Sequence, residues 1–468
     1  MTERTSGAVV LRGRIVLPDA VVDDGVVVAR GGRLVFVGTA RQARDAGLDA
    51  QVDSAPPSYD YLLPGLVDLH NHGGGGVGFP DATSADEAMT AVLEHRRHGT
   101  TTMLASLVSA SPDILLTRAA MLADLADAGE IAGIHAEGPF LSHERRGAHN
   151  PADLREGDAD LVRELAKAAR GHLASMTIAP EVPGVAGPGG VATALVEAGA
   201  IPSLGHTDGT TEQAEALIAQ VSGSLRMVAE LAGTSGTTFP VPGTGIPTDV
   251  GTSTHASTRT STRPGGGAEG RAAGGVASAL PVLRRREMTA THLFNGMRPL
   301  HHRAPGPIAA CLAAAVRGDL VVELIGDGVH LDPATVRTVF GMAGANQVAL
   351  VTDAMAAAGV ADGPYDLGPL RVTVRDGVAR LTDPDHPGGG AIAGGTSHLI
   401  DVVRRTVEAG VPLTEAVRAA SAVPARVLGL DRELGTLTRG LRADVVVADE
   451  SLRPLRVLRA GTEVGGRD

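Results

Sequence analysis

From Leu62 onward the chain alternates short apolar runs with Ala-rich amphipathic stretches, and this restricts it to a parallel α/β fold. The strand candidates are Gly65–His70, Thr101–Leu107, Ile131–Ala136, Ser175–Ala179, Ile201–Gly205, Met288–Leu293, Val321–Ile325 and Val348–Thr352. Eight is the number that closes a TIM-like (β/α)8 barrel. Between them the helical spacing predicts helices at Ser84–His98, Asp113–Ala128, Ala159–Arg170, Thr211–Ala219 and Asp332–Met342. Aromatic residues make up only 2% of the chain and Trp is absent, so Val, Leu, Ile and Ala must fill the core.

Outside this region the rhythm differs. Val9-Val10-Leu11, Arg14–Leu17, Val26–Val28 and Leu34–Val37 are short strand candidates, punctuated by Gly13, Asp23-Asp24-Gly25 and Gly31-Gly32 as turns. The chain returns to short strands between Gly435 and Val447, so its two ends are expected to share one small β-domain, in two parts, 1–61 and 431–468, around a barrel at 62–430. A hairpin is expected at Leu370–Leu381 around Arg375-Asp376-Gly377, then helices at His398–Ala409 and Leu413–Leu428. The stretch at about 230–286 is rich in Gly, Thr, Ser and Pro and too poor in apolar residues to offset its ordering entropy. It reads as a disordered insertion in a barrel connection, with His255 a bystander; a mobile lid is the alternative.

The net charge is −12, which argues against nucleic acid or an anionic membrane surface as a partner. An anionic substrate therefore needs a local basic group. The single cysteine, Cys311, excludes an intrachain disulfide. No leader-like apolar segment follows Met1 and no stretch is apolar enough to span a bilayer, so a cytoplasmic protein is expected.

The chemistry gathers where the barrel strands end. The first closes on His70-Asn71-His72, whose alternating imidazoles point to one side and make half of a divalent-metal site, with Gly73–Gly76 leaving room beside it. The third gives His135-Ala136-Glu137-Gly138-Pro139, the fifth Gly205-His206-Thr207, and the sixth His292-Leu293-Phe294-Asn295-Gly296-Met297. The seventh gives Asp327-Gly328-Val329-His330 and the eighth Thr352-Asp353-Ala354. One histidine at a strand end can be structural. Four imidazoles with Glu137 and Asp353 at one topological position form an N/O donor set, which suits Zn, Fe, Mn or Co rather than Mg or Ca. A metal at such a site activates water, and Asp353, last in the barrel, is the expected general acid/base. The reaction class is hydrolysis of an amide or of an imine-like ring C–N bond.

These motifs, together with Pro64–Gly74, Gly147-Ala148-His149-Asn150-Pro151 and Gly205–Asp208, resemble the amidohydrolase superfamily. Within it the chain is similar to the N-acetylglucosamine-6-phosphate deacetylases; Glu-Gly-Pro-Phe at 137–140 and His-Leu-Phe-Asn-Gly-Met at 292–297 carry the likeness. The resemblance implies a metal-dependent barrel with a β-sandwich built from both termini. It implies one ion on Glu137, His206 and His292, and a second on His70 and His72 shared through Glu137 and Asp353. Zinc is the first expectation, with Fe, Mn or Co as alternatives, and either one or two ions. Asn295, Gly296 and Arg303 are expected at the substrate phosphate. Ala148, His149, His330 and Ile392-Ala393-Gly394 are expected at the sugar and acetyl group. The implied partner is a small phosphosugar and the implied assembly a homodimer. Arg303 also reads as a surface residue, and His330 as a strand-end cap. His95, His98 and His143 are expected at the surface or in loops. A hydrolase of a different N-acetyl sugar or of a cyclic amide is the alternative activity, and a non-enzymatic homologue a third reading.

Overall fold

The structure is a computed structural model that describes residues 7–234, 287–382 and 390–465, of which 228–234 as backbone alone. The expected insertion, with His255, lies outside these residues apart from 230–234, where the helix Thr211–Thr234 continues well past its expected end at Ala219.

The barrel strands are Leu66–Asp68, Thr100–Leu107, Gly133–Glu137, Leu173–Ile178, Ile201–Leu204, Thr289–Ala290, Val321–Leu324 and Val348–Leu350. Each pairs with the next in parallel. The sixth is only two residues long, yet its pairs Ser203↔Thr289 and Leu204↔Ala290 keep it in register beside the fifth. The seam between first and last strands is closed just beyond their ends. There Asp353 N–H donates to His70 O at 3.0 Å and His72 N–H to Ala354 O at 2.7 Å. Below them Thr352 Oγ1 donates to the buried Asp68 at 2.6 Å.

Strand alternation divides the side chains. In the second strand Met103, Ala105 and Leu107 face the helices, while Leu104 points inward. Inside, Val67, Leu104, Ala174, Ile201, Val321 and Ala349 pack against Val423, Val427 and Leu428. The helix Ala422–Val427 thus helps to fill the bottom of the barrel. Around the outside, Ser84 caps Ala85–Arg97, Asp158 caps Ala159–Ala168 and Asp332 caps Pro333–Ala343. The helix expected at Leu413–Leu428 is two, Leu413–Ala419 and Ala422–Val427. Pro424 explains the break: it has no N–H, and its ring would strike the carbonyl of residue 420 in a continuous helix.

Both chain ends contribute to a second sheet of seven strands, in which Tyr61–Pro64 pairs with Val445–Ala448. The sheet curls on itself, since Leu34 N–H donates to Leu441 O and Ala443 N–H to Gly32 O. Leu11, Ile15, Val27 and Leu34 from one end then share a core with Leu437, Val445 and Leu458 from the other. A third sheet, Gly363–Leu367, Leu370–Arg375 and Val378–Leu381, includes the expected hairpin. Its Leu367, Val372 and Val374 pack on Val108, Met355 and Ala393, at the end of the barrel where the strands finish.

Ile134 is fully buried against the helices and makes no polar contact with the strand-end residues. Ile134→Ala should lower stability by about 2–5 kcal/mol. Urea denaturation should show a lower midpoint with an unchanged slope.

Candidate active site

At the C-terminal ends of the strands, Glu137 lies in the middle. Its Oε1 faces His292 Nε2 at 2.8 Å and His206 Nε2 at 2.9 Å. Its Oε2 faces His72 Nε2 at 3.1 Å, His149 Nε2 at 3.3 Å and His70 Nε2 at 3.6 Å. Asp353 Oδ1 is 3.4 Å from Nε2 of both His70 and His72, which are 2.9 Å from each other. All of these imidazoles, and Glu137, are buried.

The outer nitrogens decide what the inner ones can do. His206 Nδ1 meets the Arg145 carbonyl at 2.8 Å and His72 Nδ1 the Ser106 carbonyl at 3.2 Å. A carbonyl only accepts, so Nδ1 carries the proton and the neutral ring turns a lone pair toward the carboxylates. Lone pair against carboxylate is repulsive unless a cation or proton lies between them. His149 is the other tautomer: its Nδ1 accepts from Ser109 N–H at 3.3 Å, so Nε2–H is free to donate to Glu137. His70 Nδ1 and His292 Nδ1 are buried without a hydrogen-bond partner. Three overlapping sets of close donor atoms occur here: His70, Glu137, His292; His70, His72, Asp353; and Glu137, His149, His206. The all-N/O donors and inward lone pairs fit a divalent cation.

The electrostatics agree. Burial pushes the Glu137 carboxyl up, but the surrounding His70, His206 and His149 hold it well below its usual range. Burial likewise opposes ionisation of Asp353, and His70, His72 and His292 keep it ionised. His70, buried but beside Glu137 and Asp353, is driven well above the usual imidazole range. Burial prevails at His149, which is lowered. Burial also lowers His135, whose two nitrogens are hydrogen-bonded by Ser106 Oγ and Thr177 Oγ1.

The backbone is strained where it delivers these groups. His206, His292 and Asp353 have φ of 46°, 26° and 49°. Such left-handed non-glycine residues each cost on the order of 1–3 kcal/mol and persist only where surrounding contacts hold them. Gly296, at φ 58°, is pressed against His206: a Cβ there would lie 2.6 Å from Nδ1.

The other expected site residues divide. Asn295 is half-buried and donates from its backbone N–H and Nδ2 to His292 O. His330 is tucked against Asp327, with Nδ1 2.8 Å from Oδ2, and is raised because that carboxylate outweighs its burial. The segment 392–394 lies along Asp353, where a Cβ on Gly394 would be 2.9 Å from its carbonyl oxygen. Ala148 packs with the Val108 and Ala393 cluster. Arg303 is exposed, and its guanidinium makes no hydrogen bond to another described residue. His143 is exposed as expected, but His95 is not: it is fully buried, with Nε2 2.9 Å from Gly73 O, and it supports the glycine turn beside His72.

Several participants were not anticipated. Asp68 accepts from Asn71 Nδ2 and Thr352 Oγ1 and sits at about pH 6 because burial raises it. The two-residue spacing Asp68, His70, His72 is the signal that could have found it. Glu323 lies 3.8 Å from His70 Nδ1. Around His206, Asp208 binds Arg145 and Arg298; nothing in their spacing marks them as partners.

The amidohydrolase family model matches residues 61–235 and 286–464. N-acetylglucosamine-6-phosphate deacetylase from Bos taurus is 30% identical over 400 residues, covering 84% of this chain and 80% of that protein. The Bacillus subtilis deacetylase of the same name is 28% identical over 457 residues, 96% of this chain and 94% of its own. A mutant N-acetyl-D-glucosamine-6-phosphate deacetylase from Mycobacterium smegmatis, solved in complex with N-acetyl-D-glucosamine-6-phosphate, superposes with a TM-score of 0.74 at 33% identity. That match covers 98% of this chain and all of the other. The chain belongs to the amidohydrolase family, among its N-acetylglucosamine-6-phosphate deacetylases. Its metal-dependent barrel with a terminal β-domain is the architecture expected from the sequence.

Among the described residues of this amidohydrolase, Glu137 is the one carboxylate that meets imidazoles through both oxygens. Glu137→Gln should weaken divalent-metal binding at least about 100-fold, since removing even outer-shell partners costs 10–100-fold. Metal content after dialysis, measured by plasma mass spectrometry, should fall accordingly.

Proposed function

We propose that the protein hydrolyses N-acetyl-D-glucosamine 6-phosphate to D-glucosamine 6-phosphate and acetate. The observation that carries this is Asp353 beside the Glu137–imidazole cluster, in a chain whose relatives across nearly its full length are deacetylases of that phosphosugar. Glu137, His206 and His292 hold one divalent ion, and His70 and His72 with Glu137 and Asp353 offer room for a second; zinc suits these donors best. When bound, such an ion supplies Lewis acidity, lowering the pKa of water and polarising a carbonyl.

The remaining chemistry belongs to the chain. Asp353, ionised by the surrounding imidazoles, takes a proton from the attacking water and returns it to the departing amine nitrogen. The water oxygen first bonds to the amide carbonyl carbon, and the C–N bond then breaks as nitrogen takes the proton held by Asp353; the other water proton leaves with the acetic acid, which ionises to acetate. His330, with Nδ1 held by Asp327, presents its other ring nitrogen to a sugar oxygen, and His149, whose Nε2–H is engaged by Glu137, meets the sugar through its ring edge. Ala148, Ile392, Ala393 and Gly394 form the small-residue wall against the acetyl group and sugar, beside the Val108 and Met355 cluster. Asn295, Gly296 and Arg303 meet the phosphate. The exposure of Arg303 leaves it free to do so, and on a protein of net charge −12 a local cation is what an anionic substrate requires.

Acetate release from N-acetylglucosamine 6-phosphate by the metal-loaded enzyme should be robust, and from unphosphorylated N-acetylglucosamine weak. Asp353→Asn should lower kcat by about 10²–10⁴-fold with metal still bound. Arg303→Ala should raise KM for the phosphorylated sugar and leave the neutral one unchanged. Equal turnover of both sugars would move the activity to a different N-acetylated substrate.

A further inference from the structure

We infer that Asp208 is a positioning residue for the metal centre: it clamps together the two loops that orient the His206 ring. Nothing about its position makes it a ligand. It lies two residues beyond His206, a quarter exposed, and binds no atom of the Glu137 cluster. What it does bind is Arg145 Nε through Oδ1 at 2.7 Å and an Arg298 guanidinium nitrogen through Oδ2 at 2.6 Å. These two guanidiniums hold its carboxyl down at about 2, with burial opposing.

Each arginine belongs to a loop that touches the His206 ring. Arg145 is in the loop after the Glu137 strand, and its own carbonyl accepts a hydrogen bond from His206 Nδ1–H at 2.8 Å. Two residues later, Gly147 turns at φ 56° so close that a Cβ would be 3.1 Å from His206 Cε1. Arg298 is in the loop after His292, two residues beyond Gly296, which presses on the ring from Nδ1. The same loop is laced to the His206 strand end by Thr207 N–H to Gly296 O at 3.0 Å and Arg298 N–H to Thr207 O at 2.9 Å. Glu181 steadies the base of the clamp, accepting from Thr207 Oγ1 and from Asp208 N–H, both at 2.6 Å.

The clamp thus joins the three segments that carry Glu137, His206 and His292. With its loops fixed, the Arg145 carbonyl sets the tautomer of His206 and aims Nε2 inward; released, that carbonyl can drift and the strained His206 backbone can relax. Partly exposed ion pairs contribute little to overall stability, so the clamp's effect should appear at the metal rather than in folding. Outer partners of ligating histidines commonly govern affinity by 10–100-fold.

The test uses the full chain and Zn²⁺ alone, with affinity measured by competition against a chromophoric chelator. The inference rests on Glu137, His206 and His292 holding an ion, and is independent of the sugar substrate; Glu137→Gln in the same titration separates the two, because unchanged affinity there means the ion is held elsewhere. Asp208→Asn and Asp208→Ala should weaken zinc binding by about tenfold or more. In both variants the Co²⁺-loaded protein should show altered d–d absorption, and the melting temperature of the metal-free protein should stay close to wild type. Asp127→Asn, which breaks a more exposed pairing with Arg170 and His172 at the other end of the barrel, should leave zinc affinity unchanged. Wild-type affinity and cobalt spectrum in both Asp208 variants would overturn the inference, as would an equal loss in Asp127→Asn.

Discussion

Everything at the strand ends depends on one buried carboxylate. Glu137 meets five imidazoles, and a charge taken out of water that way survives only with compensating charge around it. Protonated histidines can compensate in part. The Nδ1–H bonds of His72 and His206 to main-chain carbonyls fix the tautomer, so that the neutral rings carry their lone pairs inward against the carboxylates, which calls for a cation at the centre. The demand for metal is therefore built into the outer hydrogen bonds as much as into the ligands. His149 is the exception that makes the rule visible, since its reversed tautomer turns it from a ligand into a donor.

The fold supports this by concentrating strain in the same few residues. His206, His292 and Asp353 leave their strands in left-handed conformations, and neighbouring segments hold them there: 295–298 against His206, and 392–395 against Asp353. The bottom of the barrel contributes rigidity, with Val423, Val427 and Leu428 packed among its inward side chains. One end is a tightly packed core, and the other is a rim of polar groups carried on well-anchored loops.

Much of this was legible in the sequence, because a parallel barrel writes its strands as separate apolar runs and places its chemistry where each run ends. All eight strands fall on or beside their expected positions, and the six residues expected around the metal, four histidines with Glu137 and Asp353, come together. What escaped follows from physical causes. Helix Gly306–Arg317 has no charged residue before Arg317, so no polar face marks it as a helix. Helix Val191–Glu197 is too short to show one. The burial of His95 depends on a contact with the carbonyl of Gly73, which is distant in sequence. The same holds for Arg145, Asp208 and Arg298, whose pairing exists only once the third, fifth and sixth strands lie side by side. Pro424 was readable as a helix break.

The central claim is that Glu137 joins the histidines through a shared cation, and anomalous X-ray diffraction at the absorption edge of the bound metal tests it most directly. Crystals of metal-loaded protein should show an anomalous peak within bonding distance of Glu137 Oε1, His206 Nε2 and His292 Nε2. A second peak, where present, should lie between Glu137 Oε2 and the His70 and His72 pair. A peak bonded to the histidines with Glu137 turned away, or none at the strand ends of a protein that retains metal, would contradict the account.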